Sequence, residues 1–308
     1  MTETNPRHFL DVDDLSAAEL DEVLGLAAEY KAEQQAGVLH DDLDNQTLGM
    51  VFEKPSTRTR VSFETGMTQL GGHAVFLSDS DLQLGRGEPL KDTSRALSRY
   101  VDVLMARLFD HEALEEIAAY ADVPVVNGLT DDAHPCQTLA DLLTIQEHTG
   151  GLSEATVAWV GDGNNVAQSF VIGAALAGID LTIATPEGYE IDADVIERAG
   201  ELGPAPTVSD DPAAAVDGAD VVYTDVWVSM GQEDEREEKL AAFDGYQVND
   251  DLLADAADDV AVMHCLPAHR GEEITDDVLE SDHAIVWDQA ENRLHAQKGL
   301  LVWLCEYA

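Results

Sequence analysis

Short apolar runs rich in valine, isoleucine and phenylalanine recur along the chain, and between them apolar residues return every three or four positions. The first pattern fits strands buried on both faces of a sheet, the second helices that lay one face on it. In the first half the pattern predicts strands at 48–53, 73–78, 101–107 and 123–129, with helices over 16–35, 58–70, 91–99 and 111–120. In the second half it predicts strands at 156–162, 181–186, 220–226, 260–267 and 284–290. Alternation of this kind implies parallel strands joined by crossover helices, hence an α/β fold with two doubly wound parallel sheets. A helix reading CQTLADLLTIQEHT runs into Gly150-Gly151, and glycine is the usual residue just past a helix end. The expected division is 1–150, 151–291, and a C-terminal helix at 292–308 that returns to the first domain. The stretch 229–243, SMGQEDEREEKLAAF, is charged and carries an early glycine, and reads as a mobile loop.

Composition narrows the class. The 308 residues include 62 acidic and 16 basic ones, a net charge of −46, yet 45% are hydrophobic, enough to build a core. Nucleic acid and anionic membrane both demand a basic footprint, so neither is an expected partner. Acidic residues spread along the whole chain read as the solvated surface of a salt-adapted protein, whose self-repulsion is screened within about 3 Å near 1 M salt. Three widely spaced cysteines, Cys136, Cys265 and Cys305, suit a reducing compartment. With no signal-like or membrane-spanning run, a cytoplasmic location is expected.

The charge is not uniform. Residues 54–107 hold eight of the 16 basic residues against six acidic ones, a net of +2. Arginine concentrated there suggests a small anionic ligand, because guanidinium grips phosphate and carboxylate with two parallel hydrogen bonds. Arg95 and Arg99, four apart on a helix, read better as structural ion pairs. PSTRTR (55–60) follows a strand and opens a helix, so Ser56, Thr57, Arg58 and Thr59 would surround free backbone N–H groups in a phosphate cradle.

FEKPSTRTRVSFE (52–64), HPCQTLAD (134–141), DVWVSMGQE (225–233) and HCLPAHRGEEI (264–274) resemble, in order and over essentially the whole chain, the signatures of the ornithine carbamoyltransferases. The resemblance implies two α/β domains with the active site between them, a homo-oligomer built on a trimer, and no metal or organic cofactor. It also implies transfer of a carbamoyl group from carbamoyl phosphate to L-ornithine. Ser56, Thr57, Arg58, Thr59, Arg60 and Arg107 would hold the phosphate, with Gln83 reaching in from a neighbouring subunit. His134 would donate to the carbamoyl oxygen and Gln137 accept from its nitrogen, with Pro135 and Cys136 beside them and Arg293 on the same side. Asp225 would bind the α-ammonium of ornithine, Ser229 and Met230 would line its side chain, and Asn165 would contact its head group. Cys265 and the Leu266 carbonyl would face the δ-amine.

Three other readings compete. GDGNNVAQS (161–169) opens like a dinucleotide fingerprint, but Val166 stands where the third small residue belongs. His264, Cys265 and His269 are metal-capable residue types, although Leu266-Pro267 between them favours a substrate-facing loop. Aspartate carbamoyltransferase would need extra cations for a second carboxylate, whereas this chain offers Gln83 and an acidic SMG segment.

Overall fold

The computed structural model describes residues 6–78, 87–229 and 231–306. Gln83, Arg86 and Met230 lie outside them. The chain divides into two compact units, residues 1–143 with 292–308, and residues 144–291. That division falls inside a helix; Gly150 follows the helix end with φ +80° and donates to the Gln146 carbonyl.

Unit 1 alternates α1 (Ala17–Gln35), β1 (Thr47–Phe52), α2 (Thr57–Gln69), β2 (His73–Ser78), α3 (Leu90–Leu97), β3 (Val103–Arg107), α4 (His111–Tyr120) and β4 (Val125–Leu129). The next helix, α5 (Pro135–Thr149), carries the chain into unit 2. The four strands pair in parallel in the order β2-β1-β3-β4. Strand β1, Thr-Leu-Gly-Met-Val-Phe, is buried along almost its whole length because neighbours cover both its edges and helices cover its faces.

Unit 2 continues with β5 (Thr156–Val160), α6 (Asn165–Ala177), β6 (Asp180–Ala184), α7 (Ala193–Leu202), β7 (Thr207–Ser209), α8 (Pro212–Val216) and β8 (Val221–Thr224). Then come α9 (Arg236–Ala242), α10 (Asp250–Leu253), β9 (Ala261–His264), α11 (Asp276–Leu279) and the start of α12 (Val286–Glu306). Its sheet is also all parallel, in the order β7-β6-β5-β8-β9. Tyr223 packs edge to face on Trp159 and on Phe170, with ring centroids 4.6 and 5.2 Å apart, and Trp159 and Phe170 lie tilted at 6.4 Å. Gly203 ends α7 so close to α6 that a Cβ there would sit 1.9 Å from the Ala175 carbonyl oxygen. The fold is thus two parallel-sheet α/β units.

Two expectations fail locally and one strand was unforeseen. Residues 284–290 are not a strand: Ala284 makes one isolated bridge to Val262 and Ile285 donates to the Val262 carbonyl, after which helix α12 begins at Val286. Strand β7 was not expected, because three residues at a sheet edge with Val208 exposed leave no apolar run to read. The segment 229–243 is not loop throughout, since α9 occupies Arg236–Ala242 and turns Lys239 inward. No described helix is long and apolar enough to cross a membrane.

From Asn292 onward α12 belongs to unit 1. Lys298, fully buried, donates to Gln34 and Gln69 at 2.9 and 3.2 Å, and the Trp303 indole donates to Glu22 at 3.1 Å. The helices approach closely at Gly299, where an added Cβ would lie 2.7 Å from the Val23 carbonyl oxygen on α1. Gly299→Ala should therefore force α1 and α12 apart and cost about 1–3 kcal/mol, read from the urea unfolding midpoint. An unchanged midpoint would mean that the two helices can slide past one another.

Candidate active site

Each sheet has one place where the connections diverge. In unit 1 the chain leaves β1 for β2 on one side while β3 lies on the other; in unit 2 it leaves β5 for β6 while β8 lies opposite. Loops beyond the carboxyl ends part at such points and leave a crevice. The chemistry-bearing residues gather at both.

In unit 1, Ser56 caps α2: its hydroxyl oxygen accepts from the Thr59 amide at 3.3 Å and donates to the Thr59 hydroxyl at 3.1 Å. The remaining first-turn amides have no intrahelical acceptor and carry the positive end of the helix dipole. Glu53 and Lys54 donate their amides to the Arg107 carbonyl at 2.9 and 3.4 Å, fastening this loop to the end of β3. Lys54, buried against the Phe109 ring, pairs with Asp131 in the loop after β4. Gly128 admits the close passage of β3, since a Cβ there would meet Met105 Sδ at 2.4 Å.

That loop ends at His134, just before α5. His134, Gln137, Arg107, Thr59 and Arg293 are all buried. Arg293 Nη1 donates to Gln137 Oε1 at 2.6 Å and lies 3.4 Å from His134 Nε2, while its Nη2 lies 3.5 Å from Thr59 Oγ1. Gln137 Nε2 donates to Asp141 at 2.8 Å, which points the amide oxygen towards Arg293. Burial, then the Arg293 and Arg107 charges, holds the His134 pKa well below its ordinary value, so the imidazole is neutral and can donate from one nitrogen. The result is a cationic cup with a neutral donor, suited to an anion joined to a carbonyl.

Not every expected residue turns into this cup. Thr57 and Arg58 stand exposed on the first turn of α2. Arg60 pairs with Glu64 at 2.9 Å and lies over the Phe76 ring, on the outer face of the helix. Pro135 is the first residue of α5, and the Cys136 thiol donates to the Asn127 carbonyl at 3.3 Å. Burial pushes the Cys136 thiol up to about 12, so it is packing rather than a nucleophile. Arg95 and Arg99 pair with Asp92 and Asp122 at 3.5 and 2.9 Å, as their spacing suggested.

In unit 2, Asp225 follows β8 and is buried. One carboxylate oxygen accepts from Asn164 Nδ2 at 2.8 Å, the other from Cys265 Sγ at 3.0 Å. Asn164 also caps α6, accepting from the Val166 and Ala167 amides at 3.0 and 3.1 Å. Asn165, the expected contact, is the first residue of α6 beside it. Cys265 follows β9, next to Leu266 with its φ of +61°, a left-handed conformation uncommon for a branched residue. His264 Nδ1 accepts from the Leu266 amide at 2.9 Å while Nε2 bonds the buried Glu273 at 3.0 Å, which holds that turn. Asp225, His264 and Cys265 offer ligand atoms within 4.8 Å of one another, but both His264 nitrogens are already hydrogen-bonded. Ser229 is half-buried, its amide donating to Gln232 Oε1 at 3.3 Å.

Sequence reasoning missed Asn164, Glu273 and the buried pair Asp162–Lys239. A signal existed for the first: an Asn after Gly-Asp-Gly at a strand–helix junction is an N-cap.

Comparison with known proteins gives a consistent neighbourhood. Residues 7–147 match the family model described as aspartate/ornithine carbamoyltransferase, carbamoyl-P binding domain, and residues 153–304 match its Asp/Orn binding domain. An ornithine carbamoyltransferase of Haloquadratum walsbyi is 66% identical over 297 residues, covering 96% of this chain and 97% of the relative. One from Archaeoglobus fulgidus is 56% identical, with 97% of each chain covered. Among solved structures, the ornithine carbamoyltransferase from Pyrococcus furiosus superposes with a TM-score of 0.93 at 54% identity, covering 96% of each chain.

The depressed His134 pKa has a definite thermodynamic sign. The unfolded imidazole gains a proton as pH falls through about 6.5, whereas the folded one resists it, so stability is lost on the acid side of that value. The non-titrating variant His134→Asn should show a shallower loss between pH 6.5 and 5 in urea unfolding. Equal slopes for the two proteins would mean that His134 protonates in place.

Proposed function

The chain belongs to the aspartate/ornithine carbamoyltransferase family, and from that premise we propose that it transfers the carbamoyl group of carbamoyl phosphate to the δ-amine of L-ornithine, giving L-citrulline and phosphate. The amine lone pair attacks the carbonyl carbon, the C–O bond to phosphate breaks, and the departing phosphate takes the amine proton. Ser56, Thr59 and Arg107 bind the phosphate, joined by Thr57 and Arg58 from the exposed first turn of α2 and by Gln83 from a neighbouring subunit of a trimer, while Arg60 stays with Glu64. Neutral His134, backed by Arg293, donates to the carbamoyl oxygen as it becomes an oxyanion. Gln137 accepts from the carbamoyl nitrogen, and Pro135 and Cys136 shape that wall.

In unit 2 Asp225 binds the α-ammonium, Asn165 the head group, and Ser229 and Met230 the side chain, while Cys265 and the Leu266 carbonyl orient the δ-amine. One observation carries the choice of acceptor: the buried Asp225 carboxylate, its oxygens held by Asn164 and Cys265. A fixed anion attracts a diamino acid and repels the second carboxylate of aspartate. The enzyme is cytoplasmic, and its surface charge serves solvation at high salt.

Radiolabelled carbamoyl phosphate should be consumed with ornithine and not with aspartate; the reverse preference would overturn the assignment. Arg58→Gly should weaken carbamoyl phosphate binding about 100-fold, as expected for loss of a charge-assisted contact of ~3 kcal/mol, and near-normal turnover would refute the cradle. Asp225→Asn should raise KM for ornithine about 10- to 100-fold and leave that for carbamoyl phosphate nearly unchanged.

The net charge of −46 generates a separate expectation. Lowering KCl from about 3 M to 0.1 M lengthens the screening distance to roughly 10 Å, so self-repulsion should lower the melting temperature and reduce the oligomer mass seen by light scattering. A melting curve indifferent to salt would contradict this reading of the surface.

A further inference from the structure

One buried cation in unit 2 has no part in the reaction as written above. Lys239 lies on α9 and is 3% exposed. Its Nζ donates to Asp162 Oδ2 at 2.6 Å and to Gln232 Oε1 at 2.9 Å, and it sits 5.3 Å from the centroid of the Tyr189 ring. Each anchor leads to a residue read as touching the amino acid. Asp162 lies in the β5–α6 loop two positions before Asn164, which holds Asp225, and its carbonyl is fixed by the Trp159 indole at 3.1 Å. Gln232 Oε1, besides accepting from Lys239, accepts the Ser229 amide at 3.3 Å.

Burying a lysine and an aspartate costs several kcal/mol of lost hydration, and a packed apolar pair would serve stability as well or better. What the ion pair adds is direction. An ammonium with three donors ties two acceptors from different segments to one point, and a leucine cannot do so. Burial raises the Asp162 pKa and the lysine opposes that rise, so the two residues act as a unit.

We propose that Lys239 is a positioning residue for the amino-acid substrate, setting the Asn164–Asp225 pair through Asp162 and the Ser229 turn through Gln232. This rests on the reading of Asp225 and Ser229 as ornithine ligands. Lys239 touches no reacting atom, so its signature is in KM for ornithine rather than in carbamoyl phosphate binding.

The test compares Lys239→Met, Lys239→Arg, Gln232→Ala, Ser229→Ala and Asp225→Asn in the full-length enzyme, by steady-state kinetics on both substrates and by urea midpoints. Lys239→Met should raise KM for ornithine about tenfold while KM for carbamoyl phosphate stays within about twofold, and Lys239→Arg, which keeps the donors, should recover most of the loss. Gln232→Ala leaves the buried ion pair intact, so it reports on positioning even where Lys239→Met folds poorly. It should raise KM for ornithine about threefold at an unchanged midpoint. An unchanged KM in Gln232→Ala, or a Lys239→Met that loses kcat and midpoint with KM for ornithine intact, would overturn the proposal. If Ser229→Ala and Asp225→Asn leave KM for ornithine unchanged, the substrate reading falls and the Lys239 proposal falls with it. If those two raise it while Lys239→Met and Gln232→Ala do not, the Lys239 proposal alone fails.

Discussion

Parallel pairing is the constraint on which the remaining features depend. Every strand of a parallel sheet ends at the same edge, so each loop that follows a strand opens on the same side. Ser56 after β1, Arg107 at the end of β3 and His134 after β4 reach one edge of the first sheet; Asn164, Asp225 and Cys265 do the same on the second. No single segment could bring an arginine, a capped helix terminus and a neutral imidazole to one edge. The sheet does it by shortening the problem to a few residues of loop per strand, and those loops are then tied together, as Arg107 does through its carbonyl and Lys54 through Asp131.

Charge burial obeys an equally strict rule. Among the described residues the buried carboxylates are Asp141, Asp162, Asp225 and Glu273, and each has a named donor: Gln137, Lys239, Asn164 with Cys265, and His264. In a chain with 62 acidic residues, these four are where desolvation has been accepted rather than avoided. All of them sit in the two clusters or hold a residue that does. Buried carboxylates therefore mark the two clusters, and the acidic surface marks the solvent.

Much of the architecture was legible because it rests on periodicity. The α/β alternation and eight of the strands follow from runs of β-branched residues, but 284–290 misled because Ile285 and Val286 are only a two-residue run, and one bridge to Val262 uses it up. The helix start at PSTRTR was readable from its cap, and so in retrospect was the departure of Arg60, since Arg60 and Glu64 stand one helical turn apart. Lys239 was not readable. It is embedded in EDEREEKL, where neighbouring charges make any one residue look solvated, and only the tertiary position of α9 turns it inward. The two adjacent asparagines are a milder case: the junction after Gly-Asp-Gly signals a cap at Asn164, but nothing local shows that this residue, and not Asn165, also reaches Asp225.

In the reaction proposed above, the acid at Asp225 and the arginines around carbamoyl phosphate make opposite demands on a diamino acid. A carboxylate stabilises an ammonium and raises its pKa, which suppresses the neutral nucleophile. In that proposal an α-amine bound to Asp225 is held charged and inert. The δ-amine has to shed its proton from a starting pKa of about 10.4, and guanidinium groups around carbamoyl phosphate lower that value as the amine approaches. Binding through Asp225 alone would leave both amines protonated, and arginines alone would repel the substrate. In the proposed reaction, charge therefore adds to the placement of the head group and side chain in keeping the α-amine charged while the δ-amine reacts.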